Sequence, residues 1–389
     1  MKEGWTYKKL GEVATFSRGL TYSKKDVSED TSKKVLRSNN IDLATNSLNY
    51  EDIAYLKEDF VIPEDKILHK NDIFICMSNG STKHLGKVAF IETETDYAFG
   101  GFMGAIHPKT SEVFPKFAFY FCLSSEYRRC LATVLNGINI NNIKWSDLSK
   151  FSIPIPPLAE QERIVAELDL LSSIIDKKKA QLKAYDQLAQ SIFYSMFGDP
   201  ITNEKAWEVK KMGEIGTIVG GSTPSTNDQS NWDGTINWIT PAELGEQLYY
   251  GETIRKLTEK GAKGLTMMPV GTVLLSSRAP IGKLAITTTS MCCNQGFKNI
   301  ICNNNINNVF LYYYLKNTMN LIQALGRGAT FKEVSKSAIS SYKVIIPPLA
   351  LQQEFAEKVE AIERQKSLIQ QSIVETQTLF DSRMDYWFG

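Results

Sequence analysis

The stretch Gly80 to Val88 (GSTKHLGKV) comes close to the glycine-lysine loop that cradles nucleotide phosphates, but it has one residue too many and ends in valine. Phe99-Gly100-Gly101-Phe102-Met103-Gly104 has a glycine pattern that could suggest a nucleotide-cofactor loop. The chain has no Asn-Pro-Pro-Tyr or Asp-Pro-Pro-Tyr segment of the kind adenine methyltransferases use to hold a flipped base, which argues against methyl transfer by this chain alone. His69, His84 and His107 lack H-E-x-x-H spacing, and no G-x-S-x-G elbow occurs. The six cysteines form no C-x-x-C pair, and only Cys292 and Cys293 are adjacent, which argues against zinc. No catalytic residue and no metal site is assigned.

What remains are loops rich in hydrogen-bond donors. In the first half Arg37-Ser38-Asn39-Asn40 follows a strand-like run, and Ser78-Asn79-Gly80-Ser81-Thr82-Lys83 forms a turn. The rough second-half counterparts are Thr240-Pro241-Ala242-Glu243 and Ser276-Ser277-Arg278, with Lys283 beside its glycine, then Asn294-Gln295 and Lys298. Gly220-Gly221-Ser222-Thr223-Pro224-Ser225 could approach a phosphate through exposed backbone N–H groups. Arg327 and Lys332 are further cations, although their first-half equivalents are Asn136 and Asn141. Any one of these residues alone fits a solvated loop. Lys177-Lys178-Lys179 fits a solvated helix face as well as an anionic contact.

The elements that carry these loops are duplicated. Ile155 to Glu162 (IPPLAEQE) returns at Ile346 to Gln353 (IPPLALQQ), 191 positions later, and the same offset carries Phe197 to Phe388 and Gly198 to Gly389. At the start of each half, Trp5, Lys9, Gly11 and Glu12 map onto Trp207, Lys211, Gly213 and Glu214 with an offset of 202. A fixed frame alternates with variable inserts.

After Pro156-Pro157, which suit a helix's first turn, the sequence runs to Phe197 without another proline or glycine. Ile164, Leu168, Leu171, Ile175, Leu182, Tyr185, Ala189, Ile192 and Met196 follow a three-four spacing broken only by Lys178. The second copy carries Phe355, Val359, Ile362, Lys366, Ile369, Ile373, Thr376, Phe380, Arg383 and Trp387, with polar breaks at Lys366, Thr376 and Arg383. A helix of about 40 residues would be ~60 Å long at 1.5 Å per residue, and one apolar stripe of that length needs a partner. The simplest is the other copy, packed antiparallel with pseudo-twofold symmetry. The core of that packing is expected from Leu168, Leu171, Ile175, Leu182 and Ile192 against Val359, Ile362, Ile369, Ile373 and Phe380. Val165, Ile174 and Leu188 widen the stripe, so a further protein could add helices.

Asp72 to Met77 (DIFICM), Lys87 to Ile91 (KVAFI), Thr272 to Ser276 (TVLLS) and Lys283 to Thr287 (KLAIT) predict strands, and the aromatic runs Phe117 to Phe121 and Phe310 to Tyr314 predict helices. The expected fold class is α+β. Two α+β domains, 1–153 and 199–345, alternate with two long antiparallel coiled-coil helices, 154–198 and 346–389. Composition adds little, since 44 Lys and Arg nearly balance 43 Asp and Glu. The opening MKEGWTYKKL lacks a signal peptide's apolar core and no run approaches a membrane span, so a cytoplasmic protein is expected.

The paired IPP-L-A-x-Q segments, the Trp-x3-Lys-Leu/Met-Gly-Glu openings at Trp5 and Trp207, and the Gly86-Lys87 and Gly282-Lys283 turns resemble the specificity subunit of type I restriction-modification systems. The resemblance covers essentially the whole chain. It implies two target-recognition domains, each reading half of a split, asymmetric double-stranded DNA site, at a spacing set by the helices. Half-site centres on one face of the duplex would lie about one turn, ~34 Å, apart. It also implies partners: two methyltransferase subunits and restriction subunits. S-adenosylmethionine, ATP and Mg would then belong to those partners and no cofactor to this chain. On this reading Arg37, Asn39, Asn40, Ser78, Asn79, Lys83, Thr240, Ser276, Arg278, Lys283, Gln295 and Lys298 are the candidate DNA contacts. The rival reading is a coiled-coil adaptor joining proteins without reading DNA.

Overall fold

The repeated framework segments are paired strands. Thr6–Lys9 runs antiparallel to Ser152–Ile155, and Glu208–Lys211 runs antiparallel to Lys343–Ile346. Each opening strand passes into a one-turn helix, Leu10–Val13 or Met212–Ile215, whose third residue caps it: the Lys9 and Lys211 amides each donate to the carboxylate of Glu12 or Glu214 at 2.6 Å. Gly11 is required by close approach, because a Cβ there would lie 2.9 Å from the Cβ of Ser149. The computed structural model describes residues 4–135, 142–326 and 332–389, and the chain divides into two units. The first comprises Met1–Lys179 with Gln371–Gly389, the second Ala180–Gln370.

In the first unit an antiparallel sheet has the order Ala14–Arg18, Met103–Pro108, Ile73–Cys76, Val88–Phe90. Ile73, Ile75, Val88 and Ile106 enter a core shared with the helix Pro115–Leu123, while Phe74, Cys76, Ala89 and Ala105 enter a second core on the other side. Burial on both faces explains why this run reads as continuously apolar. A second sheet orders Val27–Ser28, Ala54–Leu56, Lys33–Leu36 and Ala98–Phe99. The second unit has a five-stranded sheet of Gly216–Val219, Asn299–Cys302, Val273–Leu275, Leu284–Thr287 and Tyr249–Tyr250, and a three-stranded sheet of Arg255–Leu257, Trp232–Ile239 and Met291–Cys293. Its aromatic run lies on the helix Asn308–Asn317. The strands and aromatic helices expected from the sequence are all present.

The long helices are Leu158–Phe197 and Leu349–Phe388, 40 residues each. Within the first unit Glu167 pairs with Arg383, whose Nη2 donates to Oε2 at 3.0 Å, and Lys178 Nζ donates to Ser372 Oγ at 2.6 Å and Thr376 Oγ1 at 2.9 Å. Within the second, Asp186 meets Lys366 at 2.8 Å and Phe193 packs on Phe355. In both units the segments run antiparallel. The stripe's polar breaks Lys178, Lys366, Thr376 and Arg383 are therefore cross-helix contacts. Burial works against the charge of Lys366, but Asp186 and Glu363 outweigh it and hold its pKa above the usual lysine value.

Leu168, Ile175, Val359, Ile362 and Ile373 are buried, and Leu171, Leu182, Ile192, Ile369 and Phe380 are half-buried. Ile192 and Met196 on the expected stripe are less buried than Phe193 and Phe197, because near its end the helix also faces the second unit's aromatic core. The glutamine of each IPP-L-A-x-Q segment is wholly buried. Gln161 accepts from the Phe114 amide at 2.7 Å and donates to Pro156 O at 2.9 Å; Gln352 accepts from the Asn307 amide at 2.8 Å and donates to Pro347 O at 2.8 Å. Each glutamine thus fastens the start of a long helix to the segment leading into the unit's aromatic helix.

Candidate nucleic-acid interface

In the first unit three loops converge. Ser38–Asn40 forms a short 3-10 turn, closed by the Arg37 amide donating to Asn40 Oδ1 at 2.8 Å. Asn40 also donates to the carbonyls of Asn49 and Glu51, both at 2.9 Å, and is wholly buried. This corrects its place among the outward-facing donors: its amide is consumed in holding the loop. Arg37 and Asn39 both lean on Asp52, with Arg37 Nη2 donating to its carboxylate at 3.1 Å and Asn39 Nδ2 at 3.2 Å. Arg37 stays half-exposed and Asn39 exposed.

The second loop is tied to the first by Asn79 Nδ2 donating to Ser38 Oγ at 3.2 Å, and to the third by the amides of Met77 and Ser78 donating to Phe102 O, each at 3.0 Å. Lys83 lies exposed on the 3-10 turn Thr82–His84, with no ionic partner among the described residues. Beside these loops is a shallow groove of about 180 Å³ lined by Arg18, Met77, Asn142, Ile143, Lys144 and Trp145. Arg18 and Lys144 are exposed cations that the sequence reading missed, since an isolated Arg or Lys carries no signal of its neighbours.

The second unit repeats the plan with other side chains. The Thr240 amide and hydroxyl donate to Glu243 Oε1 at 3.0 and 3.1 Å, closing the 3-10 turn Pro241–Glu243 as Asn40 closes its counterpart. Burial and then Glu243 push the Tyr250 hydroxyl, which donates to that carboxylate, up to about 12. Ser276 requires correction: it is wholly buried, donates to Pro280 O at 2.7 Å, and accepts from the Gly282 and Lys283 amides at 3.1 and 2.8 Å.

Lys283 Nζ donates to Pro241 O at 2.9 Å, and its first-unit counterpart Lys87 donates to Ile41 O at 3.0 Å, with burial holding the Lys87 pKa below the usual lysine value. The Gly-Lys turns thus brace the 3-10 loops, and Lys283 is no free cation. Lys298 is likewise engaged, with Glu333 at 3.0 Å and Ser277 Oγ at 3.3 Å. Gln295 is exposed and accepts from Thr223 Oγ1 at 2.7 Å, and its NH2 has no partner among the described residues. Arg278 is half-exposed and has no ionic partner among the described residues. Gly221 serves packing, because a Cβ there would lie 1.8 Å from Cys293 O. Lys332 is exposed; Arg327, Asn136 and Asn141 lie outside the described residues.

Ser17 Oγ lies 2.8 Å from His107 Nε2, and His107 Nδ1 lies 2.6 Å from Asp72 Oδ1. Asp72 also accepts the His69 amide at 2.8 Å, so this row ties the edge of one sheet to its adjoining turn. Burial pushes the thiols of Cys122, Cys293 and Cys302 up to about 12, which suppresses the nucleophilic thiolate. Among the described residues no His, Cys, Asp and Glu grouping could hold a metal ion, and no helix is long and apolar enough to cross a membrane.

Comparison with known proteins agrees with the duplicated plan. The model of the type I restriction modification DNA specificity domain matches residues 2–184 and again 204–377. The type I restriction enzyme MjaIX specificity subunit of Methanocaldococcus jannaschii is 41% identical over 158 residues, 39% of this chain and 37% of that protein. The EcoKI specificity subunit of Escherichia coli is 32% identical over 207 residues, 52% of this chain and 44% of that protein. The matches thus span less than half of either relative.

A solved type I restriction-modification system S subunit from M. genitalium covers 99% of this chain and 96% of its own at a TM-score of 0.56 and 16% identity. A chain from a structural study of type I R-M complex assembly and conformational transition covers 100% and 98% at 0.60 and 19%. These two likenesses concern the fold. By the double match over most of its length, the chain belongs to the family of the type I restriction modification DNA specificity domain.

Proposed function

We propose that this chain is the sequence-specific DNA-recognition subunit of a type I restriction-modification complex. The observation that carries the reading is the pair of loop clusters, built on one repeated framework and furnished differently. Arg37, Asn39, Asn79 and Lys83 crown the first, Arg278 and Gln295 the second. A shared scaffold with divergent donors suits two different half-sites of one asymmetric duplex site. Lys and Arg supply affinity through phosphates, while Asn, Gln and Arg supply choice at base edges.

On this proposal residues 1–153 and 199–345 are the target-recognition domains, and the helices 154–198 and 346–389 fix the permitted spacing. The chain itself is non-catalytic. Methylation of adenine, with S-adenosylmethionine, belongs to two docked methyltransferase subunits, and ATP- and Mg-dependent cleavage to restriction subunits, in the cytoplasm. Leu188 and Leu379 support one docking surface per half: they hold the same place 191 positions apart, and both are exposed.

Binding of duplex DNA by the assembled complex tests this. Affinity should fall steeply as salt rises, and scrambling either half-site should cost about 1–3 kcal/mol per altered base pair. A coiled-coil adaptor would show neither dependence.

A further inference from the structure

Phe102 is 72% exposed, although it lies between chain segments buried in the first unit's cores. Its backbone is fixed: Phe102 O accepts from two consecutive amides, Met77 and Ser78, while the Gly100 amide donates to Leu36 O at 2.9 Å and the Met103 amide to Gly100 O at 2.8 Å. The ring therefore projects from a braced loop lying between Leu36–Arg37 on one side and Ser78–Asn79 on the other, the two segments that carry the first unit's candidate donors.

The second unit makes the corresponding bonds. The Ser277 amide donates to Gly296 O at 2.8 Å and the Asn294 amide to Ile239 O at 3.0 Å, which aligns Gly100-Gly101-Phe102 with Asn294-Gln295-Gly296. The place of Phe102 is thus held by Gly296 in the second unit, where the exposed side chain is Gln295, one place earlier and opposite Gly101. An exposed phenyl ring gains nothing from water, and among polar loops facing a duplex its apolar counterpart in the major groove is the 5-methyl group of thymine.

We propose that Phe102 is a specificity-determining residue of the first recognition domain, packing on the 5-methyl group of one thymine in its half-site. The inference rests on the DNA-reading function proposed above.

The test uses the complex purified with its methyltransferase subunits and duplexes carrying its methylated motif, with each first-half thymine replaced in turn by uracil, which lacks only that methyl. At one position the wild-type complex should lose about fourfold in affinity, the worth of one buried methyl group. Phe102→Ala should bind the intact site about tenfold more weakly and be indifferent to uracil at that position. Phe102→Leu should retain part of the uracil effect. A Phe102→Ala complex that binds as wild type, or that keeps the full uracil penalty, overturns the proposal and leaves DNA reading intact. If instead the wild-type complex does not distinguish its motif from scrambled duplex, the DNA-reading function itself fails. Because Phe102 is exposed, an unchanged melting temperature should accompany the loss.

Discussion

The ring of Phe388 lies 4.9 Å from that of Phe117, and at the equivalent place in the other unit Phe197 lies 4.8 Å from Phe310. Each is the last residue of a 40-residue helix. The helix beginning at Leu158 ends in the second unit's core, and the helix beginning at Leu349 ends in the first unit's core. Each core is thus completed by a residue from the end of a helix that starts in the other unit.

Phe388→Ala should remove about 3–5 kcal/mol from the first unit. Hydrogen exchange should accelerate in Pro115–Leu123 and leave Asn308–Asn317 unchanged, with Phe197→Ala giving the reverse pattern. Equal acceleration in both units would contradict this division of the cores.

Gln161→Ala and Gln352→Ala should each cost about 2–4 kcal/mol, because a buried amide is lost and its partners are left unpaired. Urea unfolding gives the magnitude. Faster exchange of the Phe114 amide in the first variant and the Asn307 amide in the second locates the effect.

Lys366 has a raised folded-state pKa, so its pairing with Asp186 and Glu363 stabilises fully below the unfolded lysine value and is lost as pH rises through the folded one. Lys366→Met should be less stable by about 1–3 kcal/mol at pH 7, between the ranges for exposed and buried pairs. Thermal melts from pH 7 to 11 should show the difference from wild type shrinking at the alkaline end.

Arg278 and Lys83 have no ionic partner among the described residues, whereas Asn40 and Ser276 are spent internally. Arg278→Ala and Lys83→Ala should weaken DNA binding, by up to about 3 kcal/mol if the contact is to a base, with melting temperature unchanged. Asn40→Ala should instead lower the melting temperature, since its bonds to Asn49 and Glu51 hold the loop.

Periodicity carried much of the architecture into the sequence. DIFICM reads as a strand because both its faces are buried, and the three-four spacing from Ile164 reads as a helix needing a partner. The polar breaks were visible, but their roles were not: Lys178 finds Ser372 and Thr376, residues 194 and 198 positions away. The loops were the least legible part. Asn39 and Asn40 are adjacent and chemically identical, yet one is exposed and the other wholly buried, because only the folded loop decides which amide meets the carbonyls of Asn49 and Glu51. Gln161 was recognisable as part of a repeated motif, whereas its buried bonds depend on Phe114, 47 positions earlier.

The most direct test of the central claim is single-molecule sequencing of adenine methylation in the source cell with this gene intact and deleted. The account predicts loss of one bipartite, asymmetric methylated motif on deletion, and its return when the gene is restored. A methylome unchanged by deletion would contradict the claim that this chain directs methylation to a DNA sequence.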